Sequence, residues 1–69
     1  MKVKQILYLL KAEGWYVSRF RGSHRQLKNA SIAGTVTVSG HLSRDIHPKI
    51  LGRICQQANL KKINYDYSP

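Results

Sequence analysis

The 69-residue sequence holds one cysteine, two prolines, one tryptophan, one phenylalanine and only three acidic residues. A lone Cys55 cannot close an internal disulfide, which argues against a stapled secreted mini-protein and for a reducing compartment. Three acidic residues leave little from which to build a carboxylate pair or a carboxylate-held Mg²⁺ centre. His24, His41, His47 and Cys55 are widely separated and form no C-x-x-C or H-x-x-x-H motif, so no metal and no other cofactor is expected. The longest apolar stretch at the N-terminus, Ile6 to Leu10, is five residues long and is broken by Lys11 and Glu13. A membrane span needs about 20 such residues, and a secretory leader about 7–15. A cytoplasmic location without membrane contact is therefore expected. The length also excludes a second domain and any Rossmann or barrel enzyme.

Cations are abundant. Twelve Lys and Arg give a net charge of +9, a field that attracts polyanions, chiefly nucleic acid. Hydrophobic residues make up 42% of the chain, enough for a folded domain rather than a disordered basic tail. How the cations are distributed over the fold decides whether they form a binding face.

Val3, Ile6, Leu7 and Leu10 recur at helical spacing with Lys2, Lys4, Gln5 and Lys11 between them, which predicts an amphipathic helix stopped at Gly14. Trp15 to Phe20 is aromatic and β-branched and reads as a strand, Arg21 to His24 as a turn, and His24 to Asn29 as a second strand. Thr35 to Ser39 alternates with period two, the cleanest strand pattern in the chain. Pro48 opens a second helix with Asp45 or His47 near its cap, and Ile50, Leu51, Ile54 and Ala58 keep helical spacing up to a stop at Asn59. Leu60 is expected to fold back on the core, and Cys55 to be a small buried side chain. The predicted fold is α+β in the order α-β-β-β-α. It has a three-stranded antiparallel sheet, both helices on one face, a single domain over residues 1–60 and a C-terminal tail over 61–69.

A two-residue Gly22-Ser23 hairpin loop would pair Arg21 with His24, Arg19 with Gln26 and Val17 with Lys28. Cross-strand partners share a face, so Arg19, Arg21, His24, Gln26 and Lys28 are expected on one side of the sheet. Tyr16, Ser18, Phe20, Arg25 and Leu27 are expected on the other, toward the helices. In that register Trp15 and Val17 fall on the polar side. Histidine ionises close to neutral pH and can act as a general acid or base. Beside arginines and a lysine it suits RNA strand cleavage: the base deprotonates a ribose 2′-OH, the oxygen attacks the adjacent phosphate, and cations stabilise the charge that develops. Taken from the residues alone, a lone strand histidine is more often a solvated or hydrogen-bonded side chain than a catalytic one. His41 is expected to fix the turn into the second helix and His47 to cap that helix.

The run Gly14-Trp15, Arg19 and Gly22-Ser23-His24, with the later Val-rich strand, His41, Ile50-Leu51, Ile54 and Gln57-Ala58-Asn59-Leu60, resembles the HicA-type mRNA interferase toxins. The resemblance spans residues 2 to about 60. It departs from the family at Val38-Ser39-Gly40-His41, where Val-Pro-x-His is usual. It implies a fold like the double-stranded RNA-binding domain, metal-independent cleavage of mRNA, and neutralisation by a HicB-type antitoxin. His24 takes the place of the family's catalytic histidine. Arg19, Arg21, Gln26 and Lys28, with Gly22 and Ser23 of the turn, are then the residues expected to hold RNA. The competing readings are a non-catalytic double-stranded RNA-binding module and a partner for an acidic protein.

Overall fold

The structure is a computed structural model and describes residues 1–60; the expected tail, 61–69, lies outside the described residues. Helix α1 spans Val3–Ala12, strands β1, β2 and β3 span Trp15–Arg21, His24–Asn29 and Val36–Ser39, and helix α2 spans Pro48–Ala58. The sheet is antiparallel in the order β1-β2-β3, as the α-β-β-β-α expectation requires. The third strand starts at Val36, one residue later than its alternation suggests.

Each helix ends where its sequence says it should. The Lys2 backbone N–H donates to Gln5 Oε1 at 2.6 Å, closing the first turn of α1, and Gly14 lies just beyond its end at φ +94. His47 caps α2: its Nδ1 accepts the Lys49 backbone N–H at 3.1 Å, and Pro48 occupies the first helical position, where no N–H is needed. Asn59 adopts the left-handed conformation at φ 57 that terminates α2, and the Leu60 N–H then donates to the Cys55 carbonyl at 2.9 Å.

One face of each element supplies the core. Val3, Ile6 and Leu10 of α1 meet Trp15, Leu27, Val36 and Val38 of the sheet and Leu51, Ile54, Cys55 and Ala58 of α2. Cys55 is buried and Leu60 packs against this cluster, as expected. Because both helices bury their apolar stripes on the same side of the sheet, the opposite side carries no element among the described residues.

The connection from β3 to α2 docks on the N-terminus of α1. Val3 and Lys4 donate their N–H groups to the Arg44 and Leu42 carbonyls at 2.9 and 3.0 Å, and Ile46 donates to the Met1 carbonyl at 2.9 Å. The first two bonds satisfy N–H groups that the start of α1 leaves without intrahelical partners. His41 helps shape this connection through its backbone, its carbonyl accepting from the Arg44 N–H at 3.0 Å. The Lys2–Asp45 ion pair beside it, 3.2 Å, is exposed and adds little.

Arg25 leaves β2 on the helix side, and its Nη1 donates to the Gly40 carbonyl at 2.9 Å, tying β2 to the turn after β3. Gly40 holds φ +104, and a Cβ there would sit 3.3 Å from Arg44 Cδ, so glycine is required at this turn. Arg25→Met keeps the aliphatic stem and deletes that hydrogen bond. It should lower stability by about 1 kcal/mol, visible as a reduced urea midpoint.

Candidate nucleic-acid interface

The β1–β2 hairpin builds the candidate site. Its loop is the two residues Gly22 and Ser23, with Gly22 at φ +62, so Arg21 pairs with His24 and Arg19 with Gln26 as expected. Beyond Arg19 the expected register fails. The ladder slips between Val17 and Arg19, leaving Ser18 as an extra residue; Val17 then pairs with Leu27, Tyr16 with Lys28 and Trp15 with Asn29.

This bulge corrects the expected face assignment. Trp15 and Val17 move to the helix side, where Trp15 is 1% exposed and anchors the core, while Tyr16 moves to the open side. The physical reason is burial: a regular ladder would have pointed an indole at solvent, and one inserted residue returns it to the apolar cluster. Phe20, opposite Arg25, keeps helix-side parity as expected but extends past the helices and remains 65% exposed.

Arg19, Arg21, His24, Gln26 and Lys28 all belong to the open face, and β3 adds Thr37 and Ser39, the partners of Gln26 and His24. Along the hairpin the face reads as three cross-strand pairs: Arg21–His24 next to the loop, Arg19–Gln26 in the middle and Tyr16–Lys28 at the far end. His24 is solvent-exposed. None of the three strands carries an acidic residue; among the described residues Glu13 lies at the end of α1, and Asp45, paired with Lys2, lies on the connection that borders the β3 edge of this face.

At its β3 edge the face opens into a cleft of about 440 Å³, whose lining includes His24, Thr37, Ser39, Arg44, Asp45 and His47. The sequence reading missed Tyr16, Thr37, Ser39 and Arg44. Tyr16 had a signal, since an outward-facing Trp15 beside Val17 marks a register that needs a bulge. Arg44 had none, because only the docking of its loop on α1 brings it to the cleft. Among the described residues, no three His, Cys, Asp or Glu side chains gather as a metal site, and no helix is long and apolar enough to cross a membrane.

The described residues thus form an α+β fold with an exposed histidine set among cations on one side of the sheet. More narrowly, the family model described as "HicA toxin of bacterial toxin-antitoxin" matches residues 3–60, and the chain belongs to that family. It is a toxin of a toxin–antitoxin system. No curated protein matches it closely enough to add a relative.

Proposed function

We propose that this toxin is a metal-independent endoribonuclease that cleaves mRNA with His24 and thereby inhibits translation in the cytoplasm. The observation that carries the reading is the company His24 keeps: an exposed imidazole on one face with Arg19, Arg21, Gln26 and Lys28, next to the Gly22-Ser23 turn. In the proposed step an imidazole nitrogen of His24 takes the 2′-OH proton. O2′ then forms a bond to the adjacent phosphorus while the P–O5′ bond breaks, and O5′ is protonated by water or a second group of the face. Arg21, across the ladder from His24, and Arg19 beyond it stabilise the negative charge on the phosphoryl oxygens. Gln26 and Lys28 extend the contact along the strand, and the small Gly22-Ser23 turn lets the sugar–phosphate backbone approach His24. A HicB-type antitoxin would neutralise the toxin by covering the His24 face and excluding mRNA.

The test is induction of the wild-type chain and of His24→Ala in a bacterial host lacking the antitoxin, following growth and mRNA integrity together. Growth arrest with mRNA loss for wild type alone supports the reading. Equal arrest by both proteins, with mRNA intact, would assign toxicity to binding instead. The cationic face also predicts a salt dependence. Each phosphate neutralised on single-stranded nucleic acid contributes about 0.7 to the slope of log K against log salt. Replacing Arg19, Arg21 and Lys28 together with Gln should therefore flatten the slope by about 2 in an anisotropy titration.

A further inference from the structure

Three surface features stand outside the roles given to His24 and its cations: the helix-side patch around Phe20, the cleft at the β3 edge, and Tyr16. Nothing on the molecule shows what would cover Phe20, and the cleft is continuous with the His24 site. Tyr16 is different, because a specific irregularity of the fold puts it where it is.

We propose that Tyr16 is a base-stacking residue of the RNA site, so that the toxin takes RNA as an unpaired strand laid along the open sheet rather than as a duplex. The inference rests on the reading of this face as the RNA face and deepens it. The bulge at Ser18 turns Tyr16 from the helix side to the side of His24, opposite Lys28 in the ladder. The residue is 55% exposed and lies outside the core that its neighbour Trp15 fills. Among the described residues it is the one large aromatic side chain on this face. Tyr8 belongs to α1, and Phe20 and Trp15 have helix-side parity.

The layout matches what an unpaired strand needs. Phosphates require spaced cations and bases require flat apolar surfaces, and proteins that hold single strands supply both along one track. Here Arg21 and Arg19 lead from His24 toward Lys28, and Tyr16 stands beside Lys28 at the end of that line. His24 and Lys28 are four residues apart on β2, a distance of about 13 Å at strand rise. That span holds a few nucleotides, which places the stacked base a short way along the strand from the scissile phosphate. A duplex cannot use Tyr16 in this way. Its bases are stacked on one another, and it shows a protein mainly phosphates, 2′-hydroxyls and groove edges. Dependence on the Tyr16 ring therefore separates the two substrates.

The experiment uses the full chain carrying His24→Ala, so that RNA survives the titration, and compares it with the same chain also carrying Tyr16→Leu or Tyr16→Phe. Leucine keeps the bulk and removes the π face; phenylalanine keeps the ring. The probes are a labelled unstructured RNA of mixed sequence and a blunt RNA duplex, read by fluorescence anisotropy, with circular dichroism confirming the fold of each protein. Tyr16→Leu should weaken binding to the unstructured RNA by about 5- to 100-fold, the range for loss of one stacked base. Tyr16→Phe should stay within about twofold, as stacking needs only the ring, and duplex binding should be the same for all three proteins. Equal loss on both RNAs, or no loss on the single strand, overturns the proposal. So does an unchanged RNA affinity accompanied by weaker binding of the antitoxin, which would assign Tyr16 to the protein interface. If the chain with Tyr16 intact binds neither RNA, the RNA reading of the whole face fails, a result distinct from failure at Tyr16 alone.

Discussion

His24→Ala is expected to lower the rate of RNA cleavage by the purified toxin by about 10²- to 10⁴-fold, the usual contribution of one positioned acid–base group. RNA affinity should change far less, because the proposed phosphate-holding cations, Arg19, Arg21 and Lys28, remain in place on the face. The side chain is exposed, so its removal leaves no cavity and the fold should melt as wild type does. The measurement is single-turnover cleavage of a labelled RNA with protein in excess, alongside anisotropy titration of the same RNA. Cleavage at an unchanged rate would move the catalytic base elsewhere on the face. Loss of binding in step with loss of cleavage would make His24 a binding residue.

The second large effect is on stability. Trp15→Ala should leave the chain substantially unfolded at 25 °C. Removing a buried tryptophan costs roughly 3–5 kcal/mol, and a domain of this size has only about 3–5 kcal/mol of net stability. Trp15 is 1% exposed and is the largest side chain in the core, at the start of β1, the strand that packs against α1. Trp15→Phe should be mild by comparison, at about 1 kcal/mol. It keeps an aromatic ring in the core, and the indole N–H it removes has no hydrogen-bond partner among the described residues, so no bond is broken. Urea unfolding followed by far-ultraviolet circular dichroism distinguishes the two: a folded baseline with a shifted midpoint for Phe, and little or no folded baseline for Ala. A cooperative transition close to wild type for Trp15→Ala would show that the core does not depend on this ring.

Local chemistry made most of the fold legible. Gly14, Pro48 and Asn59 mark helix ends through their own backbone preferences, and the spacing of Val3, Ile6 and Leu10 or of Leu51, Ile54 and Ala58 marks the buried faces. The alternation at Val36 and Val38 does the same for β3. The Gly22-Ser23 loop was also readable, and with it the Arg21–His24 and Arg19–Gln26 pairs, because a two-residue hairpin fixes the register next to it. Register is local only until a bulge intervenes. Neither glycine nor proline stands at Ser18 to announce the extra residue, and what forces it is the burial of Trp15 in a core assembled from both helices and all three strands. For the same reason Tyr16 could be placed on the open face only once the packing was known. Arg44 lies further still from local inference, since its position depends on hydrogen bonds between its loop and the first turn of α1.

Metal-independent attack by the ribose 2′-OH would leave a chemical record in the ends of the RNA that the purified toxin cuts. RNA incubated with the toxin in excess chelator should be cut, giving a 2′,3′-cyclic phosphate on the upstream fragment and a 5′-hydroxyl on the downstream one, and RNA with 2′-deoxy residues at the cut sites should resist. Cleavage that needs a divalent ion and leaves a 5′-phosphate, or that proceeds equally on the 2′-deoxy strand, would contradict the account.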